Sequence, residues 1–189
     1  MIWSSRTKQV VHRRGDVLRA VVRAANSRLD GTLPMDVPGV ADTFRDELDL
    51  TGALQLRWHA LMAGNIERAI AEEPGEHNTL RVGEDAELED IVLGAWHAAR
   101  AEMPGVRLVL DTLAKEPTSP EMAEALDIAN RKDWALLAVM AGKASAQDSD
   151  AAEVGRWLEA KVRRTDFQPP VKQIVRLSLR ERIKLSLAV

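Results

Sequence analysis

Apolar residues recur every three or four positions through almost the whole chain, and this spacing constrains the fold more than any other feature. The interval matches the 3.6-residue turn of an α-helix, so each segment has one apolar stripe and one polar face. Only residues 171–189 show the alternation that is typical of a half-buried strand. The sequence therefore predicts an all-α fold, an irregular bundle of six or seven helices in one domain with basic helical termini.

The longest amphipathic segment covers residues 38–72. Pro38 suits the first position of a helix, and Glu73-Pro74-Gly75 suits its end. Thr51-Gly52 is a candidate break, because glycine weakens a helix interior by about 1 kcal/mol. We expect one long helix here, or two shorter ones divided at Thr51-Gly52.

Capping residues and periodicity place the other helices. Ser119 before Pro120 is typical of a helix start, and Asp150 with Glu153 resembles a capping box. The expected helices cover residues 7–28, 84–103, 106–115, 120 to about 141, and 151 to about 164. Residues 171–189 are ambiguous, because their apolar residues alternate while their basic residues recur every four positions. We favour a helix there, since no second strand is evident for pairing.

The inward positions of these helices define a predicted core. Aromatic residues make up only 4% of the chain, so leucine, valine, isoleucine, alanine and methionine must supply most of it. The core should include Phe44, Leu54, Trp58, Leu61, Ile66, Leu88, Ile91, Val92, Trp96, Leu110, Leu126, Leu137, Trp157 and Leu158.

Three tryptophans, Trp58, Trp96 and Trp134, are spaced 38 residues apart, as in a helical repeat array. Amphipathic helices produce such spacings without a repeat, however, and the segments between these tryptophans differ. Both Trp58 and Trp96 are followed by His-Ala. We therefore favour an antiparallel packing of the two helices that carry them.

Charge is segregated along the chain. Residues 1–29 carry seven Lys/Arg and one acid, a net +6, and residues 156–189 carry nine and three, also +6. Residues 30–155 carry 10 basic and 25 acidic residues, a net −15. We divide the chain into a basic N-terminal helix and turn (1–35), an acidic helical core domain (36–165) and a basic C-terminal tail (166–189). The ends either fold back onto the acidic centre or bind an anionic partner.

Several classes of chemistry lack the residues they need. There is no cysteine, which excludes disulfides, thiolate nucleophiles and iron–sulfur clusters. Neither a phosphate-binding glycine loop nor G-x-S-x-G is present. His59, His97 and Asp90 are the best metal candidates, but neither Glu-x-x-His nor H-E-x-x-H occurs. We assign no catalytic, cofactor-binding or metal residue and expect no cofactor.

The remaining interpretation is a non-enzymatic interaction or scaffold module that binds a protein partner or itself through its basic termini. The alternative is a nucleic-acid-associated or regulatory protein that uses the same termini, although the acidic centre would repel a nucleic acid. With no signal-peptide core and no membrane-length apolar run, we expect a cytoplasmic protein. The candidate partner-binding residues are Arg13, Arg14, Lys172, Arg176, Arg180 and Lys184.

Overall fold

A computed structural model describes residues 3–72 and 84–165. These residues form seven α-helices and no strand, which confirms the predicted all-α bundle. The helices are α1 (Trp3–Arg28), α2 (Val40–Thr43), α3 (Glu47–Glu72), α4 (Glu84–Glu102), α5 (Pro104–Lys115), α6 (Pro120–Met140) and α7 (Ala151–Arg164).

Helix α3 is the centre of the bundle, and it packs against α1, α4, α5 and α6. Helix α7 lies along α6, while α1 packs mainly on α5. One apolar cluster joins them, and it includes Val17, Val21 and Ala25 of the basic helix α1. Helix α1 therefore shares the core of the segment that follows it. The division of the chain near residue 35 stays a prediction.

Two glycines lie where a pair of helices approach each other closely. A Cβ on Gly105 would lie 1.9 Å from the backbone oxygen of Ala25, and one on Gly155 would lie 1.7 Å from that of Trp134. No side chain fits at either distance, so these glycines set the approach of α5 to α1 and of α7 to α6.

The predicted start of the 38–72 segment is wrong, and so is the candidate break at Thr51-Gly52. Pro38 precedes α2, whose N-cap is Gly39 with a left-handed φ of 87°. The chain leaves the helix at Phe44, which is extended. Helix α3 then starts afresh because the Asp46 carboxylate accepts the backbone N–H of Asp49 at 2.7 Å.

The two predicted caps have different outcomes. Ser119 accepts the backbone N–H of Met122 at 3.2 Å, which confirms the start of α6. Asp150 occupies the N-cap position of α7, but its side chain makes no capping hydrogen bond, so the capping box is absent. The Glu153 N–H bonds to the backbone oxygen of Asp150 instead.

Most of the predicted core is buried. The fully buried members are Phe44, Leu54, Trp58, Ile66, Val92, Trp96, Leu110, Leu126, Leu137 and Leu158. Leu61, Leu88 and Ile91 are half-buried. The prediction that Trp157 is buried is wrong. Of this residue, 58% is exposed on the outer side of α7, beside the Lys161 ammonium.

The three evenly spaced tryptophans have different surroundings. Trp58 and Trp96 are buried and meet edge to face, with ring centroids 6.0 Å apart, where α3 packs against α4. Trp134 is half-buried, and its indole N–H donates to Glu159 at 2.5 Å. The helix or strand prediction for residues 171–189 lies outside the described residues. No helix in the described part of the chain is long and apolar enough to cross a membrane.

Candidate functional site

Arg14 is the one predicted partner-binding residue whose side chain the structure describes. Its guanidinium bonds both carboxylate oxygens of Asp49, at 2.8 and 3.3 Å, and also the backbone oxygen of Thr43. It lies 4.4 Å from the centroid of the Phe44 ring. Arg14 thus links α1 to the start of α3. The side chains of Arg13, Lys172, Arg176, Arg180 and Lys184 lie outside the described residues.

Basic residues of α7 make similar contacts within the chain. Lys161 bonds Glu89 of α4 at 2.5 Å. Arg163 bonds both oxygens of Asp111 on α5, at 2.7 and 2.8 Å, and also bonds Glu159. These cations near the basic end are therefore paired with carboxylates of the acidic centre.

A partly buried network of ionic side chains lies between α5 and α7. Asp111 accepts hydrogen bonds from Arg163 and also from Arg107, whose side chain is almost completely buried. The guanidinium carbons lie against the two core tryptophans, Arg107 at 5.0 Å from Trp58 and Arg163 at 5.3 Å from Trp96. Burial opposes the ionisation of Asp111, but the two arginines outweigh it and hold its pKa below the usual value.

We expect acid to weaken the fold. Asp111, Glu89 and Asp49 have lowered pKa values, because the favourable effect of their basic partners outweighs burial. Such groups stabilise the fold above their unfolded pKa values, about 4, and lose that contribution as the pH falls through the lower folded values. The urea midpoint should therefore fall below about pH 4.

The control for this pH dependence is the Asp111→Asn variant. Its urea midpoint should fall by less over the same pH range, because it lacks one of the three carboxylates. Burial raises the pKa of Asp133. Protonation of this residue therefore favours the folded state as the pH falls, which offsets part of the loss. A midpoint for the unmodified protein that is constant down to pH 2.5 would contradict the expectation.

A largely apolar groove of about 540 Å³ lies between α3 and α6. It continues into a depression of about 660 Å³ between α3 and α1, and the two share Leu48, Gly52, Leu56 and Ala125. We call this continuous feature the α3–α6 groove. Its lining includes two apolar side chains that solvent reaches, Leu56 at 68% and Ile128 at 48% exposure.

Polar groups gather at one end of the groove. Asp133 accepts hydrogen bonds from His59 Nδ1 at 2.6 Å and from the Gln55 amide at 2.9 Å. The Gln55 oxygen and the Thr51 hydroxyl are buried and have no hydrogen-bond partner among the described residues. These atoms belong to side chains that line the groove, but the atoms themselves are shielded from solvent beneath its surface.

The charges along the groove are unequally paired. Its two carboxylates already have partners, since Asp133 bonds His59 and Asp49 bonds Arg14. Lys132 lines the groove and makes no ion pair with a described residue. Arg45 lines the other end and reaches only its neighbour Asp46, at 3.3 Å. The groove therefore presents more uncompensated positive than negative charge.

The predicted metal candidates form no metal site here. His59 pairs with Asp133, whereas His97 packs edge to face on its neighbour Trp96, with centroids 5.7 Å apart. Burial lowers the pKa of His97. No group of three His, Asp or Glu within residues 3–72 and 84–165 is placed to hold a metal ion.

The helical periodicity did not identify the groove. Its one available sign was that Leu56 and Ile128 lie away from the apolar stripes of their helices. The sequence could not place these two residues on one surface, because it does not show that α3 and α6 pack together.

Comparison with known proteins provides no further constraint on the site. No family model, curated protein or solved structure matches the chain. Its function must therefore be inferred from the geometry of its own residues.

Proposed function

We propose that this protein is a non-enzymatic interaction module that binds an amphipathic segment of a protein partner in the α3–α6 groove. The observation that supports this most directly is the exposure of Leu56 and Ile128 along an open, largely apolar groove. An amphipathic helix that lays its apolar face into such a groove would bury both side chains.

The ion pairs support a structural role for the basic residues near the ends. Arg14, Lys161 and Arg163 each contact a carboxylate of the acidic centre. A nucleic-acid-binding role would need such cations free for phosphates. We therefore favour the proposal in which basic helices dock on the acidic body, and a partner binds elsewhere on it.

Glycine substitutions offer a matched test of the groove. Gly52 lines the groove, Gly64 lies twelve residues later on α3 outside its lining, and a Cβ at either position meets nothing within 4 Å. Both positions are in a helix interior, where replacing glycine does not weaken the helix. Gly52→Trp should fill the groove, while Gly64→Trp leaves it open.

The experiment selects 18-residue peptides from a displayed library on the unmodified protein and measures their affinities by fluorescence polarisation. The selected peptides should have apolar residues at i, i+3 or i+4, and i+7. Gly52→Trp should weaken their binding at least tenfold, and Gly64→Trp should leave it unchanged. Peptides that bind Gly52→Trp as well as the unmodified protein would contradict the proposal, as would a failure to select any peptide.

Self-association and a cytoplasmic location belong to the same proposal. A second copy is one source of the amphipathic segment, and sedimentation of Gly52→Trp against Gly64→Trp would detect it as a loss of dimer in the first variant alone. The lack of cysteine is compatible with a reducing compartment.

A further inference from the structure

We infer that the segment bound in the α3–α6 groove is an acidic amphipathic helix, with carboxylates placed over Lys132 at one end of the groove and over Arg45 at the other. This inference rests on the proposed function and adds the chemistry of the partner. It follows from which charges lining the groove are already paired, a local balance that differs from the net −15 of residues 30–155 as a whole.

At the α6 end, the carboxylate is occupied and the ammonium is available. Asp133 holds His59 on one oxygen and Gln55 on the other. Its neighbour Lys132 lines the same groove and has no ion-pair partner among the described residues. A partner carboxylate placed there would meet an unpaired positive charge and no unpaired negative one.

His59 adds a second polar group at this end. Its Nδ1 is occupied by Asp133, so Nε2 is the ring nitrogen left for a ligand. A polar group of a bound segment can hydrogen-bond to Nε2. The positive charge at this end of the groove comes from Lys132.

At the α1 end the available cation is the exposed Arg45. Asp49 accepts hydrogen bonds from Arg14 and from the backbone N–H of Arg45. The Arg45 guanidinium itself is 80% exposed and has only the long contact with its neighbour Asp46. The Arg45 side chain is thus free to turn toward a carboxylate on a bound segment.

The length of the groove sets the spacing of these carboxylates. The α3 part of its lining runs from Leu48 to His59, which are eleven residues apart and therefore about 16 Å along the helix axis, and Arg45 lies just before α3. A bound helix spans this distance in about three turns. Its two carboxylates should lie ten or eleven residues apart, with apolar residues between them.

The charge also argues against the chain's own tail as the occupant. Residues 171–189 contain five Lys/Arg and one acid, a net +4. A segment of that charge would place more cations beside Lys132 and Arg45. Like charges brought together in this way oppose binding.

The test uses synthetic helical peptides with one apolar face and a variable residue at each end position, eleven residues apart. The residue is Glu, Gln or Lys, and a fourth peptide has the sequence of residues 171–189. Binding is measured by fluorescence polarisation to the full chain in low salt and in about 0.5 M salt, where surface charges are largely screened. The Glu peptide should bind at least fivefold more tightly than the Gln peptide in low salt, and the Lys peptide more weakly than both.

Charge reversal of the groove provides the matched control. Lys132→Glu should cancel or reverse the preference for the Glu peptide. Lys115→Glu makes the same charge change on α5, outside the groove lining, and should leave the preference intact. The preference should also shrink in the higher salt.

The outcomes separate the inference from the proposed function. If the three peptides bind equally and Gly52→Trp still weakens them, the acidic partner is wrong and the groove remains the binding site. Tighter, Gly52-sensitive binding of the 171–189 peptide would overturn the inference in favour of the chain's own tail. If Gly52→Trp affects none of the peptides, the proposed function fails and the inference fails with it.

Discussion

Replacing Asp111 with alanine should lower the free energy of unfolding by about 3–5 kcal/mol, the usual cost of removing one partner from a buried ion pair. Asp111 bonds the buried Arg107 guanidinium at 2.5 Å and both terminal nitrogens of Arg163. Without it, the one salt bridge that Arg107 keeps among the described residues is the long contact with Glu159 at 4.0 Å. The loss is large because a positive charge that has lost its close hydrogen-bonded partner would remain buried against the Trp58 ring.

Urea unfolding at neutral pH measures this loss, and two variants control for it. Asp127→Ala breaks the exposed pair with Arg131 on α6 and should cost less than about 1 kcal/mol. The double variant Arg107→Met/Asp111→Leu removes the buried charge with its partner, so it should be markedly more stable than Asp111→Ala. If Asp111→Ala costs no more than Asp127→Ala, the ion pair does not stabilise the fold.

Helices were predictable because their determinants are local. The apolar spacing located every helix of the described bundle except the short α2, and the Ser119 cap located the start of α6. The break before α3 depends instead on the Asp46 side chain capping the backbone of Asp49. Gly52 was the more obvious candidate for a helix break in the sequence. It lies inside α3, however, whose packing against other helices outweighs the low helix propensity of glycine.

The candidate site was less predictable because it depends on contacts between distant segments. Arg14 and Asp49 are 35 residues apart, and His59 and Asp133 are 74 apart. The charge segregation indicated that basic ends could pair with an acidic centre, but it could not identify the pairs. Trp157 and Leu158 were both predicted to be buried, but neighbouring helical positions point about 100° apart, so both need not face the bundle. Trp157 consequently lies outside and Leu158 inside.

Replacing Trp96 with alanine should cost about 3–5 kcal/mol, as for other fully buried aromatic residues. Only 1% of Trp96 is exposed. Its removal would leave a cavity beside Trp58 and take away the ring that the Arg163 guanidinium faces. Trp157→Ala is a matched control, because it deletes the same side chain from an exposed position and should cost less than about 1 kcal/mol.

The comparison of these two tryptophans tests the packing of α3, α4 and α7 together, because Trp96 contacts a ring of α3 and a guanidinium of α7. Urea unfolding followed by far-UV circular dichroism reports both losses without relying on tryptophan fluorescence. Equal losses in the two variants would contradict the burial of Trp96 at the centre of the bundle. A large loss for Trp96→Ala alone is the expected result, because Trp96 fills the space where α3, α4 and α7 meet while Trp157 is exposed to solvent.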